Sequence, residues 1–290
     1  METPLKTILT IAGSDCMAGA GIQADIKAAA ACGVYAMTAV TAVTAQNSSG
    51  IKAVHPVDSD LLIAQLDAVF NDVRPDAIKI GMVGSPENAA AIAGFIRRNA
   101  LEIPMVIDPV ATATAGGDLS SNLSELREIY LDQLFPLATC VTPNIPEALS
   151  FLPAMSESFP LCPDSFGRIA ESLLNLFNSS GIILKGGHAD DTSLTDTLAY
   201  HPSDDTTEIL QLSHKRIDSI NLHGTGCVFS SILAAALTRR SSLPVVFRQA
   251  SDSLNRIIAA SATHRLGKST YGPLTPPRCW LASLIVKSNR

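Results

Sequence analysis

Short apolar runs rich in β-branched residues alternate with helix-length segments along most of this chain. The first run covers residues 5–12 and is followed by a helical pattern at 22–32. The order repeats with further apolar runs at 77–80, 105–108, 138–142 and 182–185. Short apolar runs of this kind are typical of strands that are covered on both faces. Their alternation with helices predicts an α/β fold with a mostly parallel central sheet and helices on both faces.

Two strands predicted at 35–44 and 51–57 stand apart from this alternation. They are joined by the polar turn 46–50, without room for a helix between them. Such closely spaced strands predict a hairpin, here a small β flap beside the sheet. Two further short strands are expected near 197–200 and 208–212.

The composition favours a large buried core. Hydrophobic residues make up 47% of the chain and charged residues only 17%, which argues against a disordered chain. We find no internal repeat, charge run or low-complexity linker. The prediction is therefore one domain over residues 1–290, of which about 267–290 form an irregular tail that contains prolines.

The charge, the cysteines and the apolar spans limit the expected partners and compartment. The net charge of -6 argues against a nucleic acid partner. The six cysteines are scattered without a C-x-x-C pair, which predicts neither a zinc site nor a disulfide framework. Unpaired cysteines suit a reducing compartment, so the expected location is the cytoplasm. No apolar span of roughly 18 residues occurs, so we expect neither a leader nor a membrane partner.

The sequence His223-Gly-Thr-Gly-Cys227 is the strongest candidate for a functional turn. It precedes an apolar helical pattern at 228–237. A glycine-rich turn at a helix start leaves backbone N–H groups without partners, which predicts an anion site suited to phosphoryl transfer. The helix start is also expected to lower the pKa of the Cys227 thiol. The alternative interpretation is an ordinary glycine turn before a buried helix, with Cys227 as a structural cysteine.

The loop Gly19-Ala-Gly-Ile-Gln-Ala24 fits the dinucleotide-binding pattern G-x-G-x-x-A. That pattern requires an acidic residue roughly 20 residues further on, which binds the ribose. No Asp or Glu occurs between Asp25 and Asp58, and this argues against a dehydrogenase. The chain also lacks the pattern G-x-x-x-x-G-K-[ST], which excludes a P-loop enzyme.

Polar residues follow the predicted strands at their carboxyl ends. In a parallel sheet these ends share one edge, where ligands bind. The polar residues delivered to this edge are Asp15, Asp25, Gln46, Lys79, Asp108, Asn144, Glu147, Lys185 and the turn 224–227. Carboxylates, lysines, amides and a thiol together are the groups that a nucleotide and a polar ring need.

A series of motifs carries these residues in a fixed order. The motifs are TIAGSD (10–15), GAGIQAD (19–25), AQN (45–47), KIGM (79–82), DPV (108–110), TPN (142–144), PEA (146–148), LKGGH (184–188) and HGTGC (223–227). In these motifs the chain resembles the hydroxymethylpyrimidine/phosphomethylpyrimidine kinases of thiamine biosynthesis, over about residues 7–266. The resemblance implies a ribokinase-like fold and ATP-dependent phosphorylation of 4-amino-5-hydroxymethyl-2-methylpyrimidine and then of its monophosphate. It also implies Mg²⁺ as a cofactor and a homodimer.

The same resemblance implies roles for individual residues. Those implied to bind the pyrimidine are Gln46, Asp25, Gly13, Ala20, Thr44, Met82 and Val110. Those implied to bind ATP are Lys185, Asn144, Asp108 and Thr225, and those implied to hold Mg²⁺ are Asp108 and Glu147. The implied catalytic residues are Cys227, as the base that accepts the alcohol proton, and Gly224, Thr225 and Gly226, as the anion hole.

Departures from the family pattern leave two alternatives open. Met17 and Ala18 add bulk near the expected mouth of the pocket, and residues 111–115 lack the lysine that the family usually carries there. A degenerate, non-catalytic pyrimidine-binding protein is therefore one alternative. The other is a pyridoxal kinase of the same fold, since that branch shares the Gly-Thr/Ala-Gly-Cys turn. Gln46 favours the aminopyrimidine, because that branch more often has a Met at this position.

Overall fold

A computed structural model describes residues 5–110, 123–152, 162–187, 193–203, 206–267 and 272–275. Within these ranges nine strands form one sheet in the order β3-β2-β1-β4-β5-β6-β7-β8-β9. The strands are β1 (Thr7–Asp15), β2 (Tyr35–Asn47), β3 (Gly50–Pro56), β4 (Ala77–Ile80), β5 (Met105–Ile107), β6 (Cys140–Val141), β7 (Gly181–Leu184), β8 (Ser193–Ser203) and β9 (Thr206–Lys215). The helices are α1 (Gly21–Ala31), α2 (Ser59–Phe70), α3 (Pro86–Asn99), α4 (Leu123–Ile129), α5 (Ile145–Phe151), α6 (Pro163–Phe177), α7 (Thr225–Leu237) and α8 (Leu243–Ser261).

The centre of the sheet is parallel, and its two edges are antiparallel. The strands from β2 through β1, β4, β5 and β6 to β7 pair in parallel. The antiparallel pairs are β2 with β3, β7 with β8 and β8 with β9. The predicted mostly parallel α/β fold is confirmed. The predicted flap is the hairpin of β2 and β3, and it is continuous with the main sheet because β2 also pairs with β1 from Thr7↔Tyr35 to Asp15↔Thr44.

Both faces of the sheet are covered, because consecutive strand residues point to opposite sides. In β4, Ile78 and Ile80 pack into the core cluster that includes residues of α2, α3 and α6. Ala77 belongs to the cluster on the other face, with residues of α1, α7 and α8. Lys79 shares the side of Ala77, and it therefore reaches Asp25 on α1 rather than solvent. The strand thus brings a lysine into an apolar layer beneath the ligand-binding edge.

Local sequence explains where two helices begin. The Ser85 side chain accepts a hydrogen bond from the Asn88 N–H at 3.2 Å, and Pro86 is the first residue of α3. A cap residue followed by proline is a typical helix start. α7 begins after Gly224, which has a left-handed backbone conformation, and its residues 228–237 are all buried. A helix that is apolar all round belongs in the interior. α7 accordingly lies between α1, α8 and the sheet.

Several boundaries differ from the predictions. β1 continues to Asp15 because β2 pairs alongside it after a register shift between Ala12 and Ser14. α5 was not predicted, since seven residues are too few to show a helical period. β8 and β9 are longer than predicted, because the polar, exposed part of this hairpin lacks apolar alternation. The sequence also predicts a last helix at about 243–266, but α8 ends at Ser261.

Some predictions fall outside the described residues. These include the segment without a lysine at 111–115 and most of the predicted tail, of which the structure describes Gly267 and residues 272–275. In this last piece Pro273 forms a β-bridge with His223, next to the glycine turn. Among the described helices, none is long and apolar enough to cross a membrane.

Candidate active site

A cavity of about 830 Å³ lies at the carboxyl ends of the central strands. This is the edge of the sheet at which the sequence predicted a ligand. The predicted site residues that line the cavity are Gly13, Ala20, Thr44, Gln46, Met82, Asp108, Val110, Asn144, Glu147, Lys185, Gly224, Thr225, Gly226 and Cys227. Asp25 differs from the others, because it lies beneath the cavity wall.

The glycine turn before α7 requires its first glycine and offers two free donors. Gly224 has a φ of 84°, and a Cβ there would lie 1.9 Å from the Gly19 carbonyl oxygen. No side chain fits such a close approach. In the part of the chain that the structure describes, the N–H groups of Gly226 and Cys227 have no acceptor. Two unpaired donors at a helix start can bind an anion.

An ion pair lies directly against this turn. Lys185 Nζ donates to Asp108 Oδ1 at 2.8 Å, and the Thr142 hydroxyl donates to the same oxygen at 3.1 Å. A Cβ on Gly226 would lie 3.2 Å from Asp108 Oδ2 and 3.3 Å from Lys185 Nζ. Burial raises the pKa of Asp108, but the charges of Lys185 and Lys79 outweigh it and hold the pKa below its usual value. A carboxylate and an ammonium group therefore lie against the glycine turn.

The start of α5 places Asn144 and Glu147 beside this pair. The Asn144 N–H donates to Glu147 Oε2 at 2.8 Å, and the Glu147 N–H donates to Asn144 Oδ1 at 2.8 Å. This capping box fixes both side chains. Burial, followed by the charge of Asp108, raises the pKa of Glu147 to about 7, although Lys185 and Asn144 act to lower it. Glu147 therefore changes its charge near neutral pH.

The carboxylates of Asp108 and Glu147 fit a magnesium ion. Over the described ranges, no group of three or more His, Cys, Asp or Glu side chains forms a metal site by itself. Mg²⁺ is commonly held by one or two carboxylates together with phosphate oxygens and water. Asp108 Oδ2 receives a long contact of 3.5 Å from the Ser230 hydroxyl, so this oxygen has capacity for another partner. The donor set suits a metal that arrives with a phosphate ligand.

A second ion pair, Asp25 with Lys79, lies beneath the cavity. Both side chains have 0% exposure, and Lys79 Nζ lies 3.0 Å and 2.9 Å from the two carboxylate oxygens. The Thr10 hydroxyl donates to Asp25 Oδ2 at 2.5 Å and the Ser231 hydroxyl donates to Oδ1 at 2.8 Å. Lys79 lines the cavity, whereas Asp25 does not. The carboxylate predicted to touch the substrate is thus already bonded at both oxygens within the protein.

The thiol of Cys227 has a raised pKa. Burial is the main cause, and the charges of Asp25 and Asp108 add to it. Lys79 and the Gly21 N–H act in the other direction, and the result is a pKa of about 11. The prediction of a lowered pKa is wrong for this structure, because burial and two carboxylates outweigh the helix start.

Asp15, which the sequence places at this edge without assigning it a role, organises the loop between β1 and α1. Its carboxylate accepts from the N–H groups of Met17 at 2.8 Å and of Gly19 and Ala20 at 2.9 Å. His223 Nε2 lies 3.5 Å from Asp15 Oδ2. Burial would raise the pKa of Asp15, but hydrogen bonds with the side chains of His223 and Gln46, followed by those from the N–H groups of Ala20 and Met17, lower it to about 2. An Asp before a loop of small residues is the typical signal of such a turn.

The far end of the cavity was not found from the sequence. Its lining residues lie on β8, on β9 and the segment after it, and on α8, and they are Leu194, Asp196, His214, Lys215, Arg216, Ile217, Leu222, Leu254, Asn255 and Ile258. None belongs to a motif. They meet only because the β8–β9 hairpin and α8 cover the same edge of the sheet.

Comparison with known proteins identifies the family. A family model described as phosphomethylpyrimidine kinase matches residues 15–275. The chain belongs to the phosphomethylpyrimidine kinase family. A relative from Staphylococcus aureus (strain Mu50 / ATCC 700699), named hydroxymethylpyrimidine/phosphomethylpyrimidine kinase, is 38% identical over 238 residues, which are 81% of each chain.

Two solved structures extend the comparison to the fold. A phosphomethylpyrimidine kinase from Clostridium difficile 630 has a TM-score of 0.70 and 32% identity, over 87% of this chain and 98% of that chain. A pyridoxal kinase from Staphylococcus aureus in complex with AMP-PCP and pyridoxal has a TM-score of 0.78 and 27% identity, over 94% and 93%. The predicted ribokinase-like fold, the family and the phosphotransferase class are confirmed.

Proposed function

We propose that this member of the phosphomethylpyrimidine kinase family transfers a phosphoryl group from ATP to 4-amino-5-hydroxymethyl-2-methylpyrimidine, and a second one to the resulting monophosphate. One observation carries the proposal. Gln46 and the free N–H groups of Gly226 and Cys227 line the same cavity, and the Asp108–Lys185 pair lies against the turn. A site for a polar ring therefore adjoins a site for phosphate.

The end of the cavity beside β1 and β2 suits an aminopyrimidine ring. The residues that we assign to its walls are Gly13, Ala20, Thr44, Gln46, Met82 and Val110. The Gln46 amide can accept from the exocyclic amine and donate to a ring nitrogen at the same time. A Cβ on Gly13 would lie 2.2 Å from Met82 Cε, so glycine at this position lets the Met82 side chain pack directly against β1 at the wall of the cavity.

Phosphoryl transfer forms a bond from the hydroxymethyl oxygen to the terminal phosphorus of ATP and breaks the bond from that phosphorus to the bridging oxygen, which leaves with ADP. The N–H groups of Gly226 and Cys227 and the Lys185 ammonium are the donors that face the transferred group. Their alignment and charge supply most of the rate enhancement, because the transition state is loose. The segments 214–217 and 254–258 at the far end of the cavity take the rest of the nucleotide.

Cys227 Sγ accepts the proton of the attacking alcohol in this proposal. With a pKa of about 11, the thiol is mostly protonated at neutral pH. The proton transfer therefore contributes less than the phosphate donors do. Lys79, which lowers the pKa of the thiol, is the group that favours its ionised form. We assign Asp25 to positioning Lys79, since both of its oxygens already accept hydrogen bonds.

Asp108 and Glu147 are the residues proposed to hold Mg²⁺, which neutralises charge on phosphate oxygens when it is bound. Asp108 stays ionised across the neutral range because its pKa is lowered. Glu147 becomes ionised as the pH rises through about 7. Asn144 keeps Glu147 in place through the capping box and faces the same cavity.

Pyridoxal phosphorylation is the second candidate. The observation that favours it is the TM-score of 0.78 with the pyridoxal kinase from Staphylococcus aureus. Pyridoxal also presents a hydroxymethyl group on an aromatic nitrogen ring, so the same phosphate donors can serve it. It lacks the exocyclic amine that Gln46 would bind, which makes the pyrimidine the better fit. The arrangement of Asp108, Lys185 and Cys227 argues against a non-catalytic binding protein.

A homodimer and a cytoplasmic location belong to the same proposal. β3 is an edge strand of the sheet, and Val43 on the neighbouring β2 is 53% exposed. An edge strand beside an exposed apolar residue favours pairing with a second copy. The cysteines in the described ranges are unpaired, which suits a reducing compartment. Light scattering on the purified chain tests the dimer.

The test of the activity offers hydroxymethylpyrimidine, its monophosphate and pyridoxal in parallel with ATP and Mg²⁺, and identifies the products by mass. We expect turnover of the first two. Turnover of pyridoxal alone would move the chain to the second candidate. Binding of the pyrimidine without turnover of any alcohol would contradict both kinase assignments.

A further inference from the structure

One hydroxyl lies in an aromatic cluster under the phosphate end of the cavity. The ring of Tyr130 stacks on Phe135 with centroids 5.0 Å apart, and Phe135 contacts Phe151 and Phe177. All four rings are buried, and both Tyr130 and Phe151 line the cavity. A phenylalanine at position 130 would fill the same apolar space. The hydroxyl therefore adds the cost of a buried polar group unless something binds it.

The Tyr130 hydroxyl is buried without a partner. Tyr130 is 1% exposed, and its oxygen takes part in no hydrogen bond. Burial and the charges of Asp108 and Glu147 raise the pKa of the phenol. Tyr130 lines the same cavity as these two carboxylates, which the proposed function assigns to the metal. A buried polar group without a partner in a native structure calls for an explanation such as a ligand.

Arg127, about one helical turn before Tyr130, also has a buried polar atom without a partner. Its Nη2 donates to the Phe151 carbonyl at 3.2 Å, and its guanidinium carbon lies 5.7 Å from the Phe151 ring centroid. Its Nε is buried and has no acceptor. Residues three apart on a helix share a face, and Arg127 and Tyr130 both line the cavity. One wall thus presents two hydrogen-bond donors that nothing in the described residues binds.

The backbone also changes at this wall. α4 ends at Ile129, and a π-helical turn, Tyr130–Leu134, begins at Tyr130 itself. Such turns occur frequently at functional sites. Glu147 and Ser150 of α5 line the same cavity, and Arg127 donates to the carbonyl of Phe151, the last residue of α5. The two donors therefore belong to the part of the lining that α4 and α5 form, which includes a carboxylate assigned to the metal.

We propose that Tyr130 and Arg127 form a second phosphate-binding subsite, in which the Tyr130 hydroxyl and the Arg127 Nε–H donate to phosphoryl oxygens of a bound ligand. The proposal rests on the proposed function for its phosphate-bearing ligands. These oxygens belong either to the nucleotide or to the phosphorylated pyrimidine, which share this chemistry. Donors without an internal acceptor give up no protein hydrogen bond when they bind, and bonds to a charged acceptor are the strong ones.

The test is the Tyr130→Phe variant of the full chain, with the Kd of three ligands measured by calorimetry. The ligands are ADP, the pyrimidine monophosphate and the unphosphorylated pyrimidine. We expect the Kd of at least one phosphate ligand to rise about tenfold, as for the loss of a hydrogen bond to a charged group. The Kd of the unphosphorylated pyrimidine stays unchanged, and the melting temperature stays the same or rises because an unsatisfied hydroxyl is gone. The affected ligand identifies the source of the oxygens.

Two further variants complete the test. Tyr200→Phe is the matched control, because it removes a tyrosine hydroxyl whose partner is Glu208 on the exposed hairpin, and we expect no change in any Kd. Arg127→Lys keeps the charge but removes the Nε–H, and it should weaken the same ligand as Tyr130→Phe.

Two outcomes of Tyr130→Phe overturn the subsite. In the first, both phosphate ligands bind as they do to the wild type. In the second, all three ligands weaken equally and the melting temperature falls, which indicates a structural role. A failure of the proposed function is distinguishable, because it shows in the wild type as a lack of pyrimidine turnover. In that case the Kd of ADP for Tyr130→Phe is by itself the test of the subsite.

Discussion

Two lysine–carboxylate pairs at this site have the same chemistry but different surroundings. Asp25 and Lys79 both have 0% exposure, while in the other pair Asp108 is 2% and Lys185 16% exposed. The lower pair is completed by hydroxyl groups of the protein. The upper pair opens onto the cavity beside the free N–H groups of the glycine turn. The Asp25–Lys79 pair is thus bonded entirely within the protein, whereas the Asp108–Lys185 pair is available to a ligand.

The position of each lysine relative to a strand end causes this difference. Lys79 lies within β4, where its side chain must enter the layer between the sheet and the helices α1 and α7. Lys185 is the first residue after β7, so its side chain reaches across the strand ends to Asp108. A shift of one residue past the strand end decides whether a lysine is structural or available for binding.

The largest expected effect is the loss of stability in Lys79→Met. The substitution leaves the Asp25 carboxylate buried without its cation, which costs about 3–5 kcal/mol of unfolding free energy. Urea unfolding measures the change. The double variant Lys79→Met/Asp25→Leu removes both charges and should recover a large part of the loss. Equal stability of Lys79→Met and the wild type would show that the lower pair is not a structural charge.

In contrast to Lys79→Met, the Lys185→Met variant should lose mainly activity and little stability. We expect kcat to fall by about 10²–10³-fold, as for the loss of one donor to the transition state. The melting temperature should change less than in Lys79→Met, since Lys185 is 16% exposed and Asp108, unlike Asp25, lines the cavity, where water can solvate its carboxylate. If Lys185→Met destabilised the protein as much as Lys79→Met, the contrast between the two pairs would disappear.

Charges of both pairs influence the pKa of Cys227. Replacing Cys227 therefore measures how much the proton transfer contributes to kcat. We expect Cys227→Ala to lose about 10–100-fold in kcat, below the upper range for general bases, because the thiol is mostly protonated and the transition state is loose. The affinity for the pyrimidine should stay the same, which calorimetry can verify. Cys227→Ser is the matched control of similar size. A Cys227→Ala variant with wild-type turnover would remove the thiol from the mechanism.

The smallest effect concerns the pH dependence of magnesium binding. The pKa of Glu147 lies at about 7, so its carboxyl group is protonated and unable to hold a cation below that pH. The Mg²⁺ concentration needed for half-maximal activity should therefore rise by about tenfold from pH 8 to pH 6. Asp108, with its lowered pKa, does not titrate in this range. In Glu147→Gln the dependence should vanish, and its persistence would assign it to another group.

The sequence predicted the fold and one end of the lining of the cavity, for one physical reason. Buried strands can be recognised in the sequence as short apolar runs. Because parallel strands have their carboxyl ends at one edge of the sheet, motifs that follow these strands meet at that edge. Gln46, Asp108 and Lys185 were found in this way. Asp25 followed the same logic but lies one helical turn below the edge, where the structure bonds it to Lys79.

Residues without a motif could not be predicted. Tyr130 and Arg127 stand on a helix whose pattern shows only that one face is apolar. Asn255 and Ile258 lie more than 200 positions after the first strand and reach the cavity only through the packing of α8. Such contacts depend on how helices cross the sheet, which local sequence does not encode.

The sequence by itself determined the layered α/β architecture, the family and the glycine turn at the start of α7, because each depends on local spacing and on positions that only glycine or a small set of side chains can fill. The tertiary structure decided which charges are available. It buried Asp25 against Lys79, left Lys185 at the cavity, and raised the pKa of Cys227 to about 11 and that of Glu147 to about 7. Burial and neighbouring charges set these properties, and both arise only when distant segments pack together.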